Sequence, residues 1–386
     1  MFPRMMTTLV LAAAACLSIV AAPAAGDVAV LRVPDGGIQP QARVDDRSVV
    51  HMIYFKGDAG HGDVYYVRSD NGGGGFSEPL RVNNSAGSAI AAGTVRGPHM
   101  AIGKGGRVHV AWMGSDRAEP KAPGGKTPML YTRMNDAGDG FEPERNVVSR
   151  YVGLDGGGSV AADGDGNVYV AWHAPRTEHT EADRHVWVTR SQDGGETFVP
   201  ETAVNTNPTG CCACCGMRIF AGGDGKVYVL YRTATDTVHR DTHLLVSGDH
   251  GERFSAHKIS PWTVGACVMS TASFAEGGDS VVAAWETEQQ VQAARIDAGS
   301  DKVAAIAMPG EGENRKHPAV AVNGRGEFIV AWTEGTSWNK GGSVGWQVFD
   351  RDGKPLPGKA GRADGLPAWG LPAVVARPDD TFAVIY

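Results

Sequence analysis

Asp165-Gly166-Asn167-Val168-Tyr169-Val170-Ala171-Trp172 joins a tight turn to a β-branched, aromatic-rich run. Asp, Gly and Asn suit the turn, and Val, Tyr and Trp suit a pleated, buried surface. The phrase recurs along the chain. Gly105 to Trp112 reads GGRVHVAW, Asp224 to Tyr231 reads DGKVYVLY, and Gly326 to Trp332 reads GEFIVAW. Looser copies are SVVHMIYF around Tyr54, DSVVAAW to Trp285 and DTFAVIY to Tyr386. An apolar, often Ala-rich run precedes each turn, so each copy reads as a hairpin. The aromatics recur at intervals of 47–60 residues, and every copy but the last leaves room for two further strands. Four-stranded units of about 50 residues repeated radially make a β-propeller. The expectation is an all-β propeller of seven blades, with six as the alternative. The apolar run Asp27 to Val33 has no partner in the first repeat. It is expected to supply the outer strand of the last blade and close the ring, which removes free sheet edges.

Composition agrees. Among 386 residues there are 53 Gly and 21 Pro, with 42% hydrophobic and 20% charged residues. That is too apolar for a disordered chain and too Gly-rich for a helical bundle. Arg4 is the only charge before Asp27, Thr7 to Ala25 is apolar, and Ala22-Pro23-Ala24 fits a small-residue cleavage site. Residues 1–24 therefore read as a secretory signal peptide, ahead of a lipoprotein reading through Cys16. Residues 25–386 read as one propeller domain that is exported, periplasmic or extracellular. Losing Arg4 moves the formal charge from −7 to −8, which disfavours a nucleic-acid partner. No later stretch is long and apolar enough to span a bilayer.

A second signature follows four of the hairpins. It is Ser-x-Asp-x-Gly-x-x-Phe, clear at Ser191 to Phe198 and Ser247 to Phe254. Ser69 to Phe76 has Asn71 for the Asp, and Met134 to Phe141 lacks the Ser. The pattern suits a turn in which the carboxylate accepts backbone N–H groups and Gly takes positive φ. This signature resembles the Asp-box, or BNR repeat, of the sialidase superfamily, over nearly the whole mature chain. Superfamily sialidases have six blades, whereas the hairpins here favour seven. The resemblance implies that these turns join outer strands, away from the ligand face. Further runs resemble an exported bacterial subgroup with a Cys-rich inner strand. They are Gly36 to Gln41, Gly210 to Arg218, Gly265 to Ser270 and Asn314 to Pro318.

In a propeller, each inner strand begins where the next strand ends, so those loops share one face. That face gathers Arg96, His99 and Asp155, then Cys211 to Cys215, then Cys267, Met269, Arg315 and His317. From the loops after the aromatics come His173, Arg232, Arg240, Glu286, Glu334, Trp338 and Lys340. The ligand-binding candidates are His99, Arg232, Glu286, Arg315, His317 and Glu334. The mature chain has five cysteines, four of them within Cys211-Cys212-Ala213-Cys214-Cys215, and Cys267 aligns opposite Ala213. Strand alternation would put Cys212 and Cys214 on one side and Cys211 and Cys215 on the other. With Met269 nearby, the five cysteines suit a soft metal ion, copper or zinc; disulfides pinning the channel mouth are the alternative.

Sialidase chemistry, as the resemblance implies it, needs three arginines on the substrate carboxylate and a Tyr nucleophile activated by a Glu. Arg96, Arg232 and Arg315 are the clamp candidates and Glu286 the activator. No Tyr is well placed, and Leu31-Arg32-Val33-Pro34, which resembles the family's first arginine motif, precedes the first inner strand. Two function classes follow. One is a propeller binding a soft metal, a small molecule or a glycan at a Cys-lined mouth. The other is an exo-α-sialidase-type glycoside hydrolase. A protein partner is compatible with either.

Overall fold

The computed structural model describes residues 28–177, 180–205, 209–310 and 312–386, so the expected signal segment lies outside the described residues. The strand ending the first-quoted phrase, Val168–Pro175, pairs antiparallel with Gly158–Ala162 on one side and Arg184–Ser191 on the other. Thr202–Ala203 adds the outer strand. Successive side chains of Val168–Pro175 feed two cores. Val168, Val170, Trp172 and Ala174 pack toward the preceding blade, and Tyr169 and Ala171 toward the following one. A strand buried on both faces needs no polar alternation, which is why the repeated phrase is apolar throughout.

Six four-stranded sheets and one three-stranded sheet form the ring, so the blade number is seven. The seventh blade is Ala373–Ala376, Phe382–Ile385 and Val28–Leu31. Its outer strand runs parallel to its neighbour, with Val28 opposite Phe382 and Leu31 opposite Ile385. Val33 N–H donates to Tyr386 O and Tyr386 N–H to Leu31 O, both at 3.1 Å. Phe382 and Val384 pack on the sixth blade, and Ala383 and Ile385 on the first. The N-terminal strand thus closes the ring as expected. Arg32 lies over the Tyr386 ring and donates to Gly365 O and Asp364 O, away from the channel.

The Ser-x-Asp-x-Gly turns share one bonding pattern. The Ser191 hydroxyl donates to Asp193 Oδ1 at 2.6 Å, and Gly195 N–H donates to Ser191 Oγ at 2.8 Å. Ser247 repeats it with Asp249 and Gly251, and Ser69 with Asn71 and Gly73. Gly195 has φ +82°, and a Cβ there would lie 1.8 Å from Tyr131 Oη, so no other residue fits.

The seven inner strands enclose a lower cavity of about 350 Å³, walled by Ala42, Ala101, Ala161, Ile219, Phe274, Val320 and Val374 among others. Two inner strands start with a register break. In Ile38–Val44 the pairing skips from Ile38 to Gln41, and in Lys316–Val322 from Lys316 to Ala319. Each break contains an X-Pro pair whose first residue has positive φ, Gln39 at 53° and His317 at 50°. Proline has no N–H for the ladder, so the strand bulges there and re-aims the preceding side chain.

Candidate functional site at the channel mouth

The cysteines do not lie on a strand. Cys211 to Cys215 form an irregular turn, and the inner strand starts only at Arg218. The expected alternation is therefore replaced by a different grouping. The turn's own blade and both neighbouring blades fix it. Cys211 N–H donates to Glu181 O at 3.0 Å, Cys212 N–H to Arg232 O at 2.9 Å, and Gly216 N–H to Ser270 O at 3.0 Å. Cys215 N–H closes the turn on Cys212 O at 3.3 Å. The sulfurs of Cys212, Cys214 and Cys215 lie within 4.8 Å of one another. Cys212 Sγ–H donates to Cys215 Sγ at 3.1 Å and lies 3.6 Å from Cys214 Sγ. Cys214 is disulfide-bonded to Cys267, which begins the neighbouring repeat. Cys211 stands apart, packed with Met217, Ile219 and Tyr231.

Two arginines and two glutamates surround this group. Arg240 Nη2 donates to Glu181 Oε2 at 2.7 Å, but its Nε and Nη1 are buried without partners among the described residues. Arg232 Nη1 donates to Arg240 O at 2.7 Å, and its Nη2 lies 3.7 Å from Glu286 Oε2. Burial opposes ionisation of Cys215. The Cys212 hydrogen bond, the Arg232 charge and the Ser270 backbone contact outweigh it and bring Cys215 to about 7. Cys212 moves the other way, because its proton is committed to Cys215 and because it is buried. Of the two, Cys212 holds the bridging proton and Cys215 is the more readily ionised.

Cys267 is exposed and lines, with Met269, a mouth pocket of about 240 Å³. Gly93, Thr94, Asn314, Lys316, His317, Trp338, Lys340 and Trp369 complete much of its wall. Five of these wall residues hold left-handed φ without being glycine: Thr94 62°, Met269 47°, Asn314 51°, His317 50° and Trp369 57°. Such conformations persist only where surroundings enforce them, and they gather at functional sites. Trp338 is 62% exposed, and the Trp369 indole N–H is buried without a partner among the described residues.

The remaining expected residues separate. His317 Nε2 is 3.2 Å from Thr94 Oγ1, whose hydroxyl proton goes to Gly93 O, so Nε2 is the donor. Its Nδ1 then accepts from Thr271 Oγ1 at 3.3 Å, and burial holds the ring neutral, down to about 3. Both ring nitrogens are thus engaged by threonines. His99 lies deeper, with Nδ1 accepting from Arg218 Nη1 at 2.8 Å. The three clamp candidates serve separate partners. Arg96 binds Asp155, Arg232 binds Arg240 O and Glu286, and Arg315 Nε donates to Glu334 Oε1 at 2.9 Å. Glu286 is fully buried and shifted upward by that burial; its carboxylate meets Arg232, Ser270 and the Gln289 N–H rather than a tyrosine hydroxyl.

Glu181, Arg218 and Trp369 were not singled out by the sequence. The bulged Gln39-Pro40 and His317-Pro318 pairs were the available signal, since an X-Pro pair at a strand start foretells a register break.

No protein-family model matches the chain, and no curated protein matches it. Solved structures do. A protein of unknown function from Dyadobacter fermentans superimposes with TM-score 0.53 and 14% identity, covering 79% of this chain and 92% of that one. A Hadza microbial sialidase gives TM-score 0.51 and 13% identity, covering 84% and 73%. The Trypanosoma rangeli sialidase in complex with the inhibitor DANA gives 0.52 and 10%; the match covers 82% of this chain and 53% of the sialidase. At such identities the likeness concerns the fold. In fold, the chain is a seven-bladed, sialidase-like β-propeller.

Proposed function

We propose that the chain is an exported binding propeller that holds one soft metal ion, Cu(I) or Zn(II), on cysteine sulfur at the channel mouth. The observation carrying this reading is the convergence of the Cys212, Cys214 and Cys215 sulfurs within 4.8 Å. One ion can span that spacing, and thiolates favour soft or borderline metals. With the Cys214–Cys267 bond intact, the Cys214 sulfur of this trio and the Cys267 sulfur are unavailable. A dithiol reductant supplying two electrons and two protons would cleave this bond and itself become a disulfide. Cys212, Cys214, Cys215 and Cys267 would then form a four-sulfur set, with the Met269 thioether nearby. Cys211 is too far inside the blade packing to join.

The test compares metal content and free thiols in oxidised and dithiol-reduced protein, purified without oxygen. Stoichiometric Cu(I) or Zn(II) in the reduced form alone supports the reading. A folded Cys214→Ser, Cys267→Ser double variant should lose that metal. If the reduced protein stays metal-free, the reading fails and the cluster is a structural staple. The second class, an α-sialoside hydrolase, is favoured by the fold alone. Release of a fluorophore from an α-sialoside by metal-free protein would install it instead.

A further inference from the structure

Between the mouth pocket and the lower cavity the channel narrows to a neck of about 30 Å³. Gln41, Arg43, His99, Arg218 and His317 line it. Two guanidiniums thus share one small space. Arg218 is only 7% exposed. Its Nε donates to Ala272 O at 3.1 Å, and its Nη1 to His99 Nδ1 at 2.8 Å and Gln41 Oε1 at 3.1 Å. All three acceptors are uncharged. Arg43 Nη1 donates to Ala42 O at 2.9 Å. Arg218 Nη2, and Arg43 Nε and Nη2, have no hydrogen-bond partner among the described residues. Neither arginine forms an ion pair with any described residue. Among the described residues, Glu276 is the one acid lining the neck or the lower cavity, and both its oxygens take the Gly223 N–H at 2.9 Å.

A buried cation is normally paired, because losing water without gaining a counter-charge is strongly unfavourable. The cost is visible here. Burial, and then the Arg43 charge, draw Arg218 down to about 9. Burial alone lowers Arg43. Because His99 Nδ1 accepts from Arg218, its ring proton sits on Nε2, which has no partner among the described residues. Burial and the two arginines keep this ring uncharged. Arg43 is half-buried and also lines the lower cavity, so the uncompensated burial falls mainly on Arg218.

We propose that the neck binds one monovalent anion of halide size, held by the Arg43 and Arg218 guanidiniums with His99 Nε2–H as a third donor. The space suits one water-sized particle rather than an oxyanion such as phosphate. The site is independent of the cysteines and of any metal they hold.

The experiment uses the unaltered protein, exchanged into gluconate buffer at constant ionic strength and titrated with bromide, with acetate and phosphate as separate arms. The expected result is a saturable rise in Tm with bromide, and a bromine anomalous peak in the neck of soaked crystals. Arg43→Gln should weaken the bromide response about tenfold or more. Among the described residues Arg43 hydrogen-bonds only the backbone of Ala42, so this variant should fold. Arg218→Gln is the harsher companion, and the crystal experiment needs neither variant. No bromine peak in the neck, or an unchanged bromide response in Arg43→Gln, would overturn the proposal. A response to acetate or phosphate without bromide would overturn the halide size.

Discussion

The outer hairpin turns and the channel mouth are built from similar loop residues, yet they differ in satisfaction. At the turns, carboxylates are saturated. Asp193 accepts from the Ser191 hydroxyl, the Thr197 N–H and the Thr197 hydroxyl, and these bonds hold it well below the usual carboxylate range. Positive φ there falls mainly on glycines, such as Gly194 and Gly195. At the mouth, positive φ falls on Thr94, Met269, Asn314, His317 and Trp369. Partnerless buried atoms gather around it too, on Arg232, Arg240, Glu286 and Trp369. The first region is relaxed and carries stability. The second is strained and under-satisfied, as a surface built for a ligand is.

The largest test removes the frame that both regions share. Deleting residues 28–33 takes away the parallel strand and the Val33–Tyr386 bond. Cooperative melting should be lost or fall sharply; a truncation that melts like the parent would show that the seventh blade does not need this strand. Next comes Arg232→Met, at the mouth. It leaves Glu286 buried and unpaired and should cost about 3–5 kcal/mol in urea unfolding. A cost below about 1 kcal/mol would mean that Glu286 is protonated and the pair is not ionic.

Acid should act on both regions, since burial holds His317 at the mouth and His109 on the turn side neutral alike. Burial, with the charges of Arg107 and Arg133, holds His109 down to about 3, beside Tyr131 on the turn side. The folded state then resists a proton that the unfolded chain accepts near 6.5. The His109 contribution is complete above that pH and declines as pH falls toward 3, by at most about 1.4 kcal/mol per pH unit. A His109→Gln variant should show a shallower loss of unfolding free energy between pH 6.5 and 4, and an identical slope would refute the assignment. The smallest expected effect is Asp193→Ala, about 1–2 kcal/mol from lost turn bonds. Metal content should not change; if it falls while stability holds, the turns are not the relaxed region described above.

The blades were legible because their signal repeats. Seven copies of one apolar phrase, each ending in an aromatic, constrain one another where a single copy would not. The closing strand was legible as an apolar run without a local partner. The cysteine geometry was not. Alternation presumes a strand, and Gly210 at φ 59° with the Glu181 and Ser270 contacts turns the chain before one can begin. The clamp was not legible either: Arg96, Arg232 and Arg315 share a face but each has its own acceptors. The neck was invisible for a different reason. Arg43 and Arg218 meet only through the ring, and nothing local to either residue signals the other.

The parallel seam has a consequence for how the molecule assembles. Most strand pairs here join neighbours in the chain, so a blade can form as soon as its own residues are present. Val28 must wait for Phe382. Closing so long a loop carries the largest entropy penalty in the molecule, and it is repaid only when the sixth and first blades also dock. Until then the first blade has an open flank and the sixth an uncovered apolar face. A circular permutation that links Tyr386 to Val28 through a crossover linker of about a dozen residues, as parallel strands need, and opens the chain in a surface loop elsewhere would turn this late, distant pairing into an earlier one, and move the vulnerable flank to whichever blade carries the new break.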